Sequence, residues 1–162
     1  SQIFWNDGTG NFPSVPAPVG PAASSVRAAA TADIDGDGVI DLVVGDEKAG
    51  MFSYLGRGHR DFAAAVAIGP KSGAPYSIAI GDLDHDGKPD IVVGRQEARG
   101  TIFFNRTRGK ELRFDETSWN DGKGVVYGLA LGDLDGDGWA DIVAARSDAP
   151  NAIWFNGPAR SK

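Results

Sequence analysis

Apolar and polar positions alternate along this chain in short bursts, none of them long enough for a helix. Small or apolar stretches with polar interruptions run through RAAATAD from Arg27, YSIAIGD from Tyr76 and YGLALGD from Tyr127. Brief apolar runs follow: DLVVG from Asp41, DIVVG from Asp90 and DIVAA from Asp141. Aromatic segments come next, MFSYLG at Met51, TIFFN at Thr101 and AIWFN at Ala152, and a fourth, QIFWN at Gln2, stands near the start of the sequence. Each burst is bounded by Gly, Pro, Asn or Asp, which is the punctuation of β-strands. No window holds a 3.6-residue apolar period with capping signals, so the pattern predicts an all-β fold with essentially no helix.

The bursts recur in a fixed order. With A for the stretch before each acidic segment, B for the apolar run, C for the aromatic segment and D for a further strand, the chain reads C-D, A-B-C-D, A-B-C-D, A-B-C. The D strands are expected to begin at Phe12, Phe62 and Phe114. The whole of 1–162 is read as a single module, with repeat units at about 27–75, 76–126 and 127–162, and residues 1–26 supplying the remaining strands. Four-stranded antiparallel units repeated at this interval predict the blades of a β-propeller, about three per chain. A β-sandwich of similar strand count has no reason to repeat its sequence.

Composition narrows the possibilities. Glycine (23) and proline (9) are spread along the chain, which fits many tight turns, and 41% apolar content excludes intrinsic disorder. No apolar run approaches the roughly 20 residues of a membrane-spanning helix, so membrane insertion is not expected. Without cysteine there are no disulfides, thiolate zinc sites or thiol nucleophiles. The net charge of −6 argues against nucleic acid as a partner.

The distribution of that charge says more than its total. Twelve of the 22 acidic residues lie in three nine-residue segments, DIDGDGVID from Asp33, DLDHDGKPD from Asp82 and DLDGDGWAD from Asp133. Of the 16 basic residues only Lys88 lies within these segments, so the other ten acids face 15 bases and the rest of the chain is basic. Carboxylates crowded this tightly repel one another, and a bound metal ion relieves the repulsion. In D-x-D-x-D-G-x-x-D the first three aspartates can turn inward, the glycine permits a sharp bend, and a carbonyl and a last carboxylate complete an oxygen cage suited to Ca²⁺. The expected ligands are Asp33, Asp35, Asp37, Asp41 and the Val39 carbonyl in the first loop. In the second they are Asp82, Asp84, Asp86, Asp90 and the Lys88 carbonyl, and in the third Asp133, Asp135, Asp137, Asp141 and the Trp139 carbonyl. Three calcium sites per chain follow. An EF-hand is excluded, because its loop needs a glutamate at position 12, occupied here by Val44, Val93 and Ala144.

With its nine-residue acidic loop between two strands, and an aromatic strand and glycine turns behind it, the sequence resembles the FG-GAP or VCBS repeat. That repeat builds the integrin α-subunit propeller, many secreted bacterial proteins and some fungal lectins. The resemblance implies that the calcium loop joins strands A and B of a blade. It also implies an extracellular, cell-surface or periplasmic location, and complete rings of roughly seven blades. Three blades are too few to close a ring, so the expectation is a homo-oligomer or the remainder of a larger propeller.

In an antiparallel meander, loops alternate between ends, so the B–C and D–A loops lie opposite the calcium loops. There Arg95, Trp119 and Arg146, with Tyr76 and Tyr127 at the strand starts, are the candidates for binding a glycan or a protein partner. Trp5 and Trp154, in C strands, are read as packing between blades. Neither His59 nor His85 has a partner at triad spacing, so no catalytic residue is assigned and the protein is read as a non-enzymatic recognition module. Two alternatives stand beside this. One is a carbohydrate-active enzyme resembling a polysaccharide lyase, using Tyr76 or Tyr127 with Arg95 or Arg146; the other is a purely structural segment of a larger propeller.

Overall fold

The computed structural model describes residues 1–12 and 15–158, and its regular elements are all β-strands. A short antiparallel pair, β1 (Gln2–Ile3) and β2 (Ala17–Pro18), comes first. The first full blade contains β3 (Val26–Ala32), β4 (Asp41–Asp46) and β5 (Gly50–Tyr54). A small hairpin, β6 (Gly56–Gly58) and β7 (Asp61–Phe62), follows, and β8 (Val66–Ile68) returns to close the sheet in the order β3-β4-β5-β8. The second blade is β9 (Ala74–Gly81), β10 (Asp90–Gln96), β11 (Thr101–Asn105) and β12 (Phe114–Ser118), and the third is β13 (Val125–Gly132), β14 (Asp141–Ser147) and β15 (Ala152–Trp154).

The innermost strands β3, β9 and β13 lie side by side, so the blades fan out from a common axis as a partial β-propeller. A ladder contact, Gln96 with Val125, joins the second blade to the third. All three A–B pairs shift register near their open ends, between Val26 and Ala28, Gly94 and Arg95, and Val126 and Gly128. Such bulges increase the local twist that successive blades require.

Strand B of the first and second blades is apolar on both faces because each face meets a different neighbour. Ile91 and Val93 in β10 point into a cluster with Val43, Met51, Ile68 and Phe103, between the first and second blades. Val92, between them in sequence, points the other way, to Ile102, Ile142 and Leu83 beside the third blade. A third cluster of Val19, Val44 and Tyr54, flanked by Ile3 and Phe52, seats the β1–β2 pair against the first full blade. Period-two alternation thus becomes a continuous apolar run where a strand is buried on both sides.

Two expectations about D strands need correction. Phe62 lies in the β6–β7 hairpin, and the D strand of that blade starts at Val66. Phe12 lies outside any strand, and the corresponding strand starts at Ala17. Phe114 does open β12, as expected. The hairpin pulls the chain out of register: His59 and Arg60 sit in its turn at φ 52° and 67°, a left-handed bend that a plain loop reading of GRGHRD does not anticipate.

Candidate metal centres

Each acidic segment forms the turn between strands A and B, so the three loops emerge at the same end of adjacent blades. The sixth position of each has a backbone that favours glycine, with φ of 86° at Gly38, 82° at Gly87 and 89° at Gly138. This bend turns backbone N–H groups inward onto the first aspartate. Gly38 N and Gly87 N donate to Asp33 and Asp82 at 2.8 and 2.9 Å, and Gly138 N to Asp133 at 3.0 Å. The aspartate at position five of each loop accepts from the residue at position seven: Asp37 from Val39 N, Asp86 from Lys88 N and Asp137 from Trp139 N. These loops are therefore shaped by their own backbone before any ion is considered.

The resulting arrangement brings carboxylate oxygens of Asp33, Asp35 and Asp37 within 4.8 Å of one another. The same holds for Asp82, Asp84 and Asp86 in the second loop, and for Asp133, Asp135 and Asp141 in the third. Oxygen-only donor sets of this kind match a hard divalent cation such as Ca²⁺. One atom makes the fit more specific: Asp84 Oδ1 is buried and accepts no hydrogen bond. A buried carboxylate oxygen left without a donor is costly, and a cation removes the cost.

The aspartates at position nine have a second task. Asp41 Oδ2 accepts from Ile34 N at 2.7 Å and its Oδ1 from Gly56 N at 2.7 Å. Asp90 does the same with Leu83 N and Asn105 N, both at 2.8 Å, and Asp141 with Leu134 N and Asn156 N, both at 2.9 Å. Each thus ties the start of its loop to the end of strand C of its own blade or to the residues just beyond it. Burial pushes the Asp41 and Asp90 carboxyls above the ordinary value, against the pull of these N–H groups.

At the opposite end the five candidate ligand residues separate. Arg95 is 1% exposed, and its guanidinium donates to the Ser72 and Gly73 carbonyls and to Thr101 Oγ1. The Trp119 indole packs edge-on against Trp154 with centroids 4.8 Å apart and donates to the Val93 carbonyl. Arg146 lies over Trp154 and bonds Asp121 at 2.8 Å, with its side chain 5% exposed. These three are turned inward as blade-joining groups. Tyr76 and Tyr127 meet edge-to-face at 5.4 Å, Arg27 lies over Tyr76, and Tyr127 is 58% exposed.

Sequence reasoning missed two kinds of residue. Asn105, the last residue of β11, and Asn156, two residues past β15, reach across to the preceding blade, donating to the Ile34 and Leu83 carbonyls, both at 2.8 Å. Their signal was present in the recurring final Asn of TIFFN and AIWFN. Arg106 contacts Asp84 and Asp86 of the second loop. It carried no repeat signal, because the equivalent residues are Asp7, Arg57 and Gly157.

No curated protein matches the sequence. The pattern of the FG-GAP-like repeat matches it three times, over residues 1–44, 42–93 and 82–144, in step with the three acidic loops. With most of its length matched in this way, the chain belongs to the FG-GAP-like repeat family.

Proposed function

We propose that this protein is a calcium-stabilised propeller module that works outside the cytoplasm, at a cell surface, in the extracellular space or in the periplasm, as a recognition scaffold for a glycan or a protein. The observation that carries this reading is the triplicate cluster of aspartate oxygens at one end of three adjacent blades. Bound calcium would neutralise the crowded carboxylates and lock each A–B turn. Asp33, Asp35, Asp37 and Asp41 would hold it in the first loop, Asp82, Asp84, Asp86 and Asp90 in the second, and Asp133, Asp135, Asp137 and Asp141 in the third. The carbonyls of Val39, Lys88 and Trp139 complete the proposed sets. Family membership and the absence, among the described residues, of a helix long and apolar enough to cross a membrane are compatible with that location.

With Arg95 buried and Trp119 partly buried against Trp154, binding at the end opposite the metal loops falls to Tyr127, Tyr76 and the Arg27–Glu47 pair beside them. A lyase-type reading is disfavoured by the burial of Arg95, whose guanidinium faces the Ser72 and Gly73 carbonyls and Thr101 inside the fold and cannot reach a sugar. Further blades, from a second copy or from the remainder of a larger propeller, are proposed to cover the outer face of the third blade, where Leu134, Ile153 and Phe155 are 52%, 49% and 62% exposed.

The test is elemental analysis and thermal melting with and without chelator, followed by a glycan array on the calcium-loaded protein. Calcium near three ions per chain and chelator-sensitive melting support the metal assignment; no calcium and unchanged melting overturn it. Array binding that Tyr127→Ala abolishes, at unchanged melting temperature, supports the recognition surface. Binding that survives this change places the surface elsewhere.

A further inference from the structure

The three loops share a motif but not an electrostatic setting. Arg106, just beyond strand β11, reaches into the second loop, with Nη2 2.6 Å from Asp84 Oδ2 and Nη1 3.0 Å from Asp86 Oδ2. Its Nε bonds Asp115 at 3.1 Å, and the guanidinium lies over Phe104, 5.6 Å from the ring centroid. The first loop has no such visitor, because Arg57, the equivalent residue, pairs instead with Asp61 at 3.7 Å. In the third loop the equivalent residue is Gly157, where even a Cβ would come within 3.1 Å of Asp137 Oδ2.

The second loop also differs from the other two in its internal bonding. In the first and third loops the aspartate at position three accepts from the N–H of position five, Asp35 from Asp37 at 3.2 Å and Asp135 from Asp137 at 3.3 Å. Asp84 makes no such bond to Asp86 N, and its Oδ1 is left buried without a donor. The fourth residue's N–H also bonds the first aspartate in those two loops, from Gly36 and Gly136. His85 takes that place in the second loop at φ 60°, a strained backbone for a residue with a side chain.

We propose that Arg106 is a built-in counter-cation of the second loop, which holds Asp84 and Asp86 in place without metal and lowers that loop's calcium affinity below that of the other two. This rests on the calcium reading above. A fixed positive charge within a few ångströms of a divalent ion opposes its entry, and partial screening at the surface reduces the effect without abolishing it. Calcium therefore fills the chain in two steps: the first and third loops at low concentration, the second at higher concentration.

Calorimetric titration of chelator-stripped protein with calcium at low ionic strength tests this. The expected wild-type isotherm has two tight sites and one that is weaker by about tenfold or more. Asp84→Asn removes the weak class and leaves two tight sites, which assigns it. Arg106→Gln keeps the side-chain length and an amide donor but loses the charge, and tightens the weak site about tenfold. Arg106→Lys keeps the charge and leaves the site weak. Three equal wild-type sites overturn the role of Arg106 while leaving the calcium reading intact, and this result needs no variant to fold. Unchanged or weaker second-site binding in Arg106→Gln also overturns it, since a merely orienting arginine gives that result. No calcium uptake by wild type overturns both proposals.

Discussion

Asn105 Nδ2 donates a 2.8 Å hydrogen bond to the carbonyl of Ile34, 71 residues earlier in the chain and on the neighbouring blade. The donor ends strand β11, and the acceptor is the second residue of the first acidic loop. The same bond recurs one blade on, from Asn156 to Leu83. Asn105 is fully buried and also donates to the Pro89 carbonyl, while its Oδ1 accepts from Thr107 N.

Replacing Asn105 with alanine leaves two buried carbonyls and one buried N–H without this partner. The expected loss is about 1–3 kcal/mol, read as a lower urea midpoint at unchanged slope. Asn105→Asp is expected to be worse, because it sets a carboxylate oxygen against the Ile34 carbonyl.

Chelation is expected to lower the melting temperature. Extracellular calcium modules bind with Kd of about 10⁻⁴–10⁻³ M, and at ten to a hundred times Kd each site stabilises the fold by roughly 1.4–2.7 kcal/mol. Differential scanning calorimetry with and without chelator measures the sum. Asp37→Ala and Asp137→Ala should each shrink the difference by one site's share.

Acid should weaken the fold partly through Asp46, which lies at the end away from the metal loops. Burial raises its carboxyl, but N–H donation from Ala49, Lys48 and Ser25 outweighs that and holds it below the ordinary 3.8. A carboxyl lowered in the folded state contributes stability above the unfolded value, and that contribution disappears as pH falls below 3.8 towards the folded value. Urea unfolding at a series of pH values should show a flatter decline in Asp46→Asn than in wild type across that interval.

Gly94 lies where the second and third blades press together. A Cβ there would collide with Ser77 Oγ and the Val126 side chain, and Ser77 Oγ itself donates to the Val126 carbonyl at 2.7 Å. Gly94→Ala is expected to cost about 1–3 kcal/mol by overpacking, measured by urea denaturation. An alanine tolerated there at full stability would mean that the blades can separate without penalty.

Arg95 and Tyr127 offer a direct contrast at the end opposite the metal loops. Arg95→Ala strips donors from the Ser72 and Gly73 carbonyls and empties a buried site, so a loss of about 2–5 kcal/mol is expected. Tyr127→Ala alters an exposed ring and should stay within roughly 1 kcal/mol of wild type. Thermal melts of the two variants side by side decide between a structural arginine and a surface one.

Much of this was legible because it is local. A glycine that must take a positive φ, and aspartates two residues apart, write the acidic turn into nine letters, and repetition supplies the rest of the blade. The fates of Arg95 and Trp119 were not legible, because polar surroundings in sequence suggested surface. Their burial depends on small neighbours: a Cβ at Gly100 would strike the Trp119 indole, and one at Gly73 would crowd Arg95 and Ala98. Arg106 escaped notice for another reason. Its partners Asp84 and Asp86 lie across a strand pair, and no periodicity links residues that the fold alone makes neighbours.

The asparagine clasps also run in only one sense. The first two acidic turns each lend a carbonyl to the blade that follows, and these clasps return nothing to the blade before. Disturbance of a turn should therefore travel down the chain more readily than up it. Loosening the first turn releases the second blade's clasp, whereas loosening the third leaves both Ile34 and Leu83 held. The arc has an upstream and a downstream, much as a row of roof tiles does, each pinned beneath its neighbour.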